Sequence, residues 1–298
     1  MDGDLSSILE SPKVTQVVKD MVFTEGPVWH SGGYLTFVDI RRSLLLKWTP
    51  GKGVETIREK TNEGNGCTLD AQGRVMMCEG GNRRVGRLEK NGAWTVVVDK
   101  WRGKRFNRPN DIVRRSDGSF YFTDPGLRVP KQDRDLDVFP VWRIFPDGTV
   151  DIATDQCPYP NGLAFSPDGK ILYVANSRLD ERCDSEWEKR EVCEHRYVHA
   201  FDVKPDGKLS NHRVFATMYS NEQGVPDGMK VDRAGNVFVT GSGGTWVFDK
   251  AGKKLGVIRT PEVPANCAFG GPDFKTLYFT AHTSIYAMSV KTPGIGAL

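Results

Sequence analysis

The chain has 298 residues, 38% hydrophobic and 27% charged, a balance that supports a packed core and excludes a disordered chain. A net charge of +3 is too small to mark a nucleic-acid partner, and no apolar run reaches the roughly 20 residues that a bilayer span needs. The acidic start, Met1-Asp2-Gly3-Asp4-Leu5, lacks the basic and apolar regions of a secretory signal, so the expected location is the cytoplasm. Six cysteines show no Cys-x-x-Cys pair. Cys67, Cys78 and Cys267 fall in apolar runs, while Cys183 and Cys193 flank a charged insertion and could pair, although a reducing compartment favours free thiols.

Taken in chain order, the first β-rich run is Val14 to Val18. A repeating unit then begins: a polar residue, often followed by Gly, an apolar run, a Gly turn and a second β-rich run. It starts at Glu25-Gly26-Pro27-Val28, Asn65-Gly66-Cys67-Thr68, Asn110-Asp111-Ile112-Val113, Asn161-Gly162-Leu163-Ala164, Asp227-Gly228-Met229-Lys230 and Ala265-Asn266-Cys267-Ala268. The first residues of these units are 40, 45, 51, 66 and 38 residues apart, near the span of a four-stranded propeller blade. Seven residues into the unit comes Gly32-Gly33, Gln72-Gly73, Asp117-Gly118, Asp168-Gly169 or Ala234-Gly235, and the sixth slips to Gly271-Pro272-Asp273. Such dipeptides make hairpin turns because glycine accepts positive φ. The strands that follow are rich in β-branched and aromatic residues, and no long helical period interrupts them. One hairpin pair cannot bury its own faces, so the units must pack around an axis. The expected fold is all-β: a six-bladed β-propeller over residues 1–298 as one domain, with Val14 to Val18 completing the last blade.

Symmetry then puts Glu25, Asn65, Asn110, Asn161, Asp227 and Ala265 at one height around the axis. Five of the six bear side-chain oxygen, and converging carboxylates and amides are costly without a cation between them. Oxygen-only ligation suits Ca2+ first, with Mg2+, Mn2+, Zn2+ or Fe2+ as alternatives. Asp39, Glu79, Asp124 and Gly241 lie fourteen residues into their units, and Asn176 fifteen, at strand ends expected on the same mouth. They read equally as partners that orient the ligands or as ordinary strand-end polar residues. Arg108 brings a positive charge near Asn110, suited to an anionic or hydroxyl-rich substrate. His282, with no visible partner, reads as structural rather than ligating. The charged stretch 178–196 reads as a surface loop or as a lid. No Gly-x-Ser-x-Gly elbow is present.

The phrases Glu25-Gly26-Pro27-Val28-Trp29, Arg108-Pro109-Asn110-Asp111, Tyr121-Phe122-Thr123-Asp124-Pro125, Pro160-Asn161-Gly162-Leu163-Ala164-Phe165 and Pro226-Asp227-Gly228-Met229 together resemble the senescence marker protein/gluconolactonase family. The resemblance runs from about Val17 to Val290. It implies one divalent metal ion held by Glu25, Asn161 and Asp227, with Asp227 as general base, and substrate contacts from Asn110 and Arg108, to which the strand-end position adds Asp124. The implied reaction is hydrolysis of a small-molecule sugar lactone. Alternatives in the same site are organophosphate or aryl ester hydrolysis, or a calcium-binding propeller without turnover. Nothing in the pattern specifies an oligomeric state.

Overall fold

The computed structural model describes residues 2–126, 129–177 and 196–296. The stretch 178–196, read as a surface loop or a lid, falls outside these residues except for Arg196, and Cys183 and Cys193 fall outside them wholly. Six antiparallel sheets make a six-bladed β-propeller. Blade one is Thr24–His30, Tyr34–Asp39, Leu44–Thr49 and Gly53–Glu59; each later blade repeats this meander from the axis outward. The first strands of blades two to six are Gly64–Leu69, Ile112–Arg114, Pro160–Phe165, Met229–Val231 and Asn266–Gly270. Thr15–Val18 pairs with Ser284–Ser289 as the outer strand of blade six, so the two ends of the chain close the ring. Asp2–Gly3 adds a short fifth strand to the outer edge of blade five. Lys131–Asp133 forms one turn of 3-10 helix, and no helix among the described residues is long and apolar enough to cross a membrane.

Period-2 alternation sends successive side chains to opposite faces of each blade, and both faces are covered. Within Phe120–Thr123, Tyr121 packs toward blade four beside Leu163 and Phe165, while Phe122 packs toward blade two beside Met76 and Val85. The buried apolar residues accordingly form six clusters among the described residues, one per blade interface. Closure is made by the cluster that joins Leu35, Phe37 and Leu46 of blade one to Ala268, Tyr278 and Ile285 of blade six. The hairpin turns follow the repeat as expected: Gly33, Gly73, Gly118, Gly169, Gly235 and Gly271 all have φ between 67° and 89°.

The equivalence of the leading residues is visible in the backbone. The N–H groups of Asn110, Asp227 and Ala265 donate to the carbonyls of Thr123, Thr240 and Thr280, at 2.8, 2.9 and 2.8 Å. Between blades, Gly66 N–H donates to Asn110 O and Gly228 N–H to Ala265 O, each at 2.8 Å. Neighbouring first strands therefore touch backbone to backbone. A Cβ at Gly162 would collide with Asp227 O and lie 2.7 Å from Gly228 Cα, so glycine after the leading residue is a packing requirement. Blades three and six break this rule with Asp111 and Asn266, whose side chains occupy the axis.

Candidate active site

One mouth of the channel opens into a cavity of about 370 Å3 lined by Glu25, Asn65, Asn110, Asn161 and Asp227, with Arg41, Glu63 and Arg108 among the residues around it. The fold thus brings together all five of the oxygen-bearing leading residues. Three amides form a chain across blades two to four. Asn65 Nδ2 donates to Asn110 Oδ1 and Asn110 Nδ2 to Asn161 Oδ1, both in close contact, and Asn161 Nδ2 donates to Ser177 Oγ at 3.0 Å. Ser177 Oγ in turn donates to the carbonyl of Pro226, the residue before Asp227, and ties the chain of amides to blade five.

The carboxyls close the ring. Glu25 is buried, accepting from its neighbour's Gly26 N–H at 2.7 Å and from Asn266 Nδ2 at 3.0 Å. Burial, and then the nearby Asp111 carboxyl, raise its pKa from the ordinary 4.5 to about 7. Asp227 retains some accessible surface where it faces the cavity, and its pKa is pushed well above the carboxylate range by desolvation and by Glu25 and Asp111. Burial raises Asp111 as well. Three carboxyls that each disfavour ionisation stand together beside amides, an arrangement that a bound positive charge would relieve. The donors are oxygen only, from carboxylates and carboxamides, a set that fits a hard divalent cation such as Ca2+, Mg2+ or Mn2+. Among the described residues no group of three or more His, Cys, Asp or Glu is placed to hold a metal ion by itself, so the amides would have to supply further donors.

Arg108 lines the cavity as expected, but it is paired: its Nη2 lies 2.8 Å from Glu63 Oε2. Asp124, expected as a substrate contact, does not reach the cavity. It is fully buried and turned sideways, accepting the backbone N–H of Asn107 at 2.8 Å, that of Arg108 in close contact, and the Trp142 indole N–H at 3.2 Å. Desolvation raises its pKa to about 6 despite those donors. Asp39 and Asn176 do the same work in blades one and four, accepting from Val22 and Phe23, and from Tyr159. Strand-end acceptors in blades one, three and four thus pin the segment entering each first strand. Glu79 instead binds Arg84 and Trp94 on its own blade and Arg58 of blade one. His282 packs edge-on against Phe23, with ring centroids 5.3 Å apart, and remains structural.

Sequence reasoning missed Glu63, Ser177, Asp111 and Asn266. The last two carried a usable signal, since they stand where four other repeats have glycine.

The sequence matches the SMP-30/Gluconolactonase/LRE-like region over residues 23–283. A gluconolactonase of Zymomonas mobilis is 31% identical over 318 residues, covering 97% of this chain and 85% of that protein. A pentonolactonase of Haloferax volcanii is 31% identical over 268 residues, covering 86% of this chain and 80% of that one. Among solved structures, a gluconolactonase from Xanthomonas campestris superposes with a TM-score of 0.84 at 32% identity, covering 98% of this chain and 93% of its own.

Proposed function

Because the chain belongs to the SMP-30/gluconolactonase/LRE-like family, we propose that it is a lactonase: a cation-dependent hydrolase that opens a sugar lactone in the cavity at the channel mouth. The observation that carries this reading is the convergence of the Glu25 and Asp227 carboxyls with three amides in a solvent-reached cavity. Glu25, Asn161 and Asp227 would hold one divalent ion, Ca2+ by the hardness of the donors. When bound, such an ion supplies a Lewis acid for the lactone carbonyl and lowers the pKa of nearby water.

The chain's own residues do the rest. Asp227 faces the cavity and takes the proton of the attacking water as its oxygen bonds to the carbonyl carbon. The ring C–O bond then breaks, and the leaving alkoxide takes up a proton to give the open hydroxy acid. Asn110, fixed between Asn65 and Asn161, and Arg108, fixed by Glu63, orient the ring hydroxyls. Lactones are activated esters, so no covalent nucleophile is needed.

The test is a pH-indicator assay of aldonolactone opening on divalent-loaded protein, on exhaustively chelated protein, and on Asp227→Asn. The variant keeps a carbonyl ligand and loses the base, so it should retain cation and lose turnover by roughly 10²-fold or more. Full activity after chelation would refute the cation reading. Parent-rate hydrolysis by cation-loaded Asp227→Asn would refute the base.

A further inference from the structure

Below the carboxyl ring the channel is closed by a polar floor that lactone hydrolysis does not itself call for. Asn266, buried on the axis, accepts Cys267 N–H on its Oδ1 at 2.9 Å, and Lys230 Nζ lies 3.4 Å from the same oxygen. Two donors on Oδ1 fix the amide's orientation, so its NH2 must face the carboxyls. It does: Nδ2 is 3.0 Å from Glu25 Oε2 and 3.4 Å from Asp111 Oδ2. The Lys230 ammonium is itself anchored to Met229 O at 2.9 Å. Its side chain lines a second cavity, of about 70 Å3, which Ile295 and Gly296 also line. The axis therefore gathers three carboxyls, Glu25, Asp111 and Asp227, above one ammonium that stands a single amide away from Glu25.

We propose that Lys230 sets the charge of the cation site: its ammonium, held to Asn266, offsets one of the three carboxyls, so the site is matched to a divalent rather than a trivalent ion. This rests on the proposed cation site. Coulomb energy scales with the charge of the bound ion, so removing one positive charge strengthens binding of a trivalent ion by 3/2 the logarithm of the gain for a divalent one. A purely structural role predicts the opposite, because slackening Asn266 and Glu25 weakens every cation alike.

The experiment uses the full chain with Lys230→Gln, Lys230→Met and the charge-preserving Lys230→Arg, each checked for folding by circular dichroism. Calorimetry measures Ca2+ affinity and terbium luminescence measures Tb3+ affinity, at one pH and ionic strength. Lys230→Gln and Lys230→Met should bind Ca2+ about tenfold and Tb3+ about thirtyfold more tightly, and Lys230→Arg should stay within about threefold of the parent for both. Lys230→Gln keeps an N–H donor for Asn266 and carries the measurement if Lys230→Met does not fold. An unchanged Tb3+/Ca2+ ratio, or equal weakening of both ions, in a parent that binds both overturns the role of Lys230 alone. A parent that binds neither ion overturns the cation site and this inference with it.

Discussion

Replacing Glu25 by Gln should remove a pH-dependent weakness of the cation-free protein. Glu25 is 4% exposed, and burial with the adjacent Asp111 carboxyl lifts its pKa from 4.5 to about 7. A carboxyl raised in the folded state favours folding fully below its unfolded pKa. That contribution is lost as pH climbs through the folded value, because the unfolded chain gives up the proton first. Between 4.5 and 7 the loss is about 3 kcal/mol at about 1.4 kcal/mol per pH unit, or roughly 5 to 10 °C in melting temperature. Asp227 and Asp111 move in the same direction and deepen the fall. The assay is thermal or urea unfolding of chelated protein from pH 4.5 to 8. Wild type should lose stability across that window, and Glu25→Gln should lose about 3 kcal/mol less. Saturating divalent ion should flatten the wild-type profile through mass action, and change the variant's less. Parallel profiles for the two chelated proteins would refute the reasoning.

Asn110→Ala should retain cation by elemental analysis while kcat/KM for an aldonolactone falls about tenfold or more, since it removes only an orienting amide. Asp124→Asn puts an NH2 group against backbone donors, so stability should fall by about 1–3 kcal/mol in urea unfolding, and KM should rise as the Arg108 segment loosens. Gly162→Ala drives a methyl into the Asp227 backbone and should cost about 1–3 kcal/mol by overpacking while lowering cation affinity, readable by calorimetry.

The propeller was legible because its repeat is written in residues whose conformation is local. Gly33, Gly73, Gly118, Gly169 and Gly235 mark turns that need positive φ, and that need does not depend on the rest of the molecule. The inward ring was legible for the same reason, since a fixed offset from a turn gives a fixed height on the axis. Asp124 was not, because the offset gives the height of a residue and not its direction. Its carboxyl meets two backbone N–H groups that come from a loop sixteen and seventeen residues earlier. Asp111 and Asn266 were marked in the sequence only by standing where the other four repeats have glycine. What their side chains do shows in the fold, where Asn266 Nδ2 lies 3.4 Å from Asp111 Oδ2 across the channel.

The closure of the ring also orders events in time. Glu25 leaves the ribosome 241 residues before Asn266, its hydrogen-bond partner. Thr15–Val18 likewise waits for Ser284–Ser289. Early blades must therefore persist with one flank bare until the final blade is made, and the Glu25–Asn266 bond cannot form before that. Such non-local closure makes folding slow relative to chains with local contacts. Until then Leu35, Phe37 and Leu46 of the first blade lack the Ala268, Tyr278 and Ile285 side chains that cover them in the closed ring.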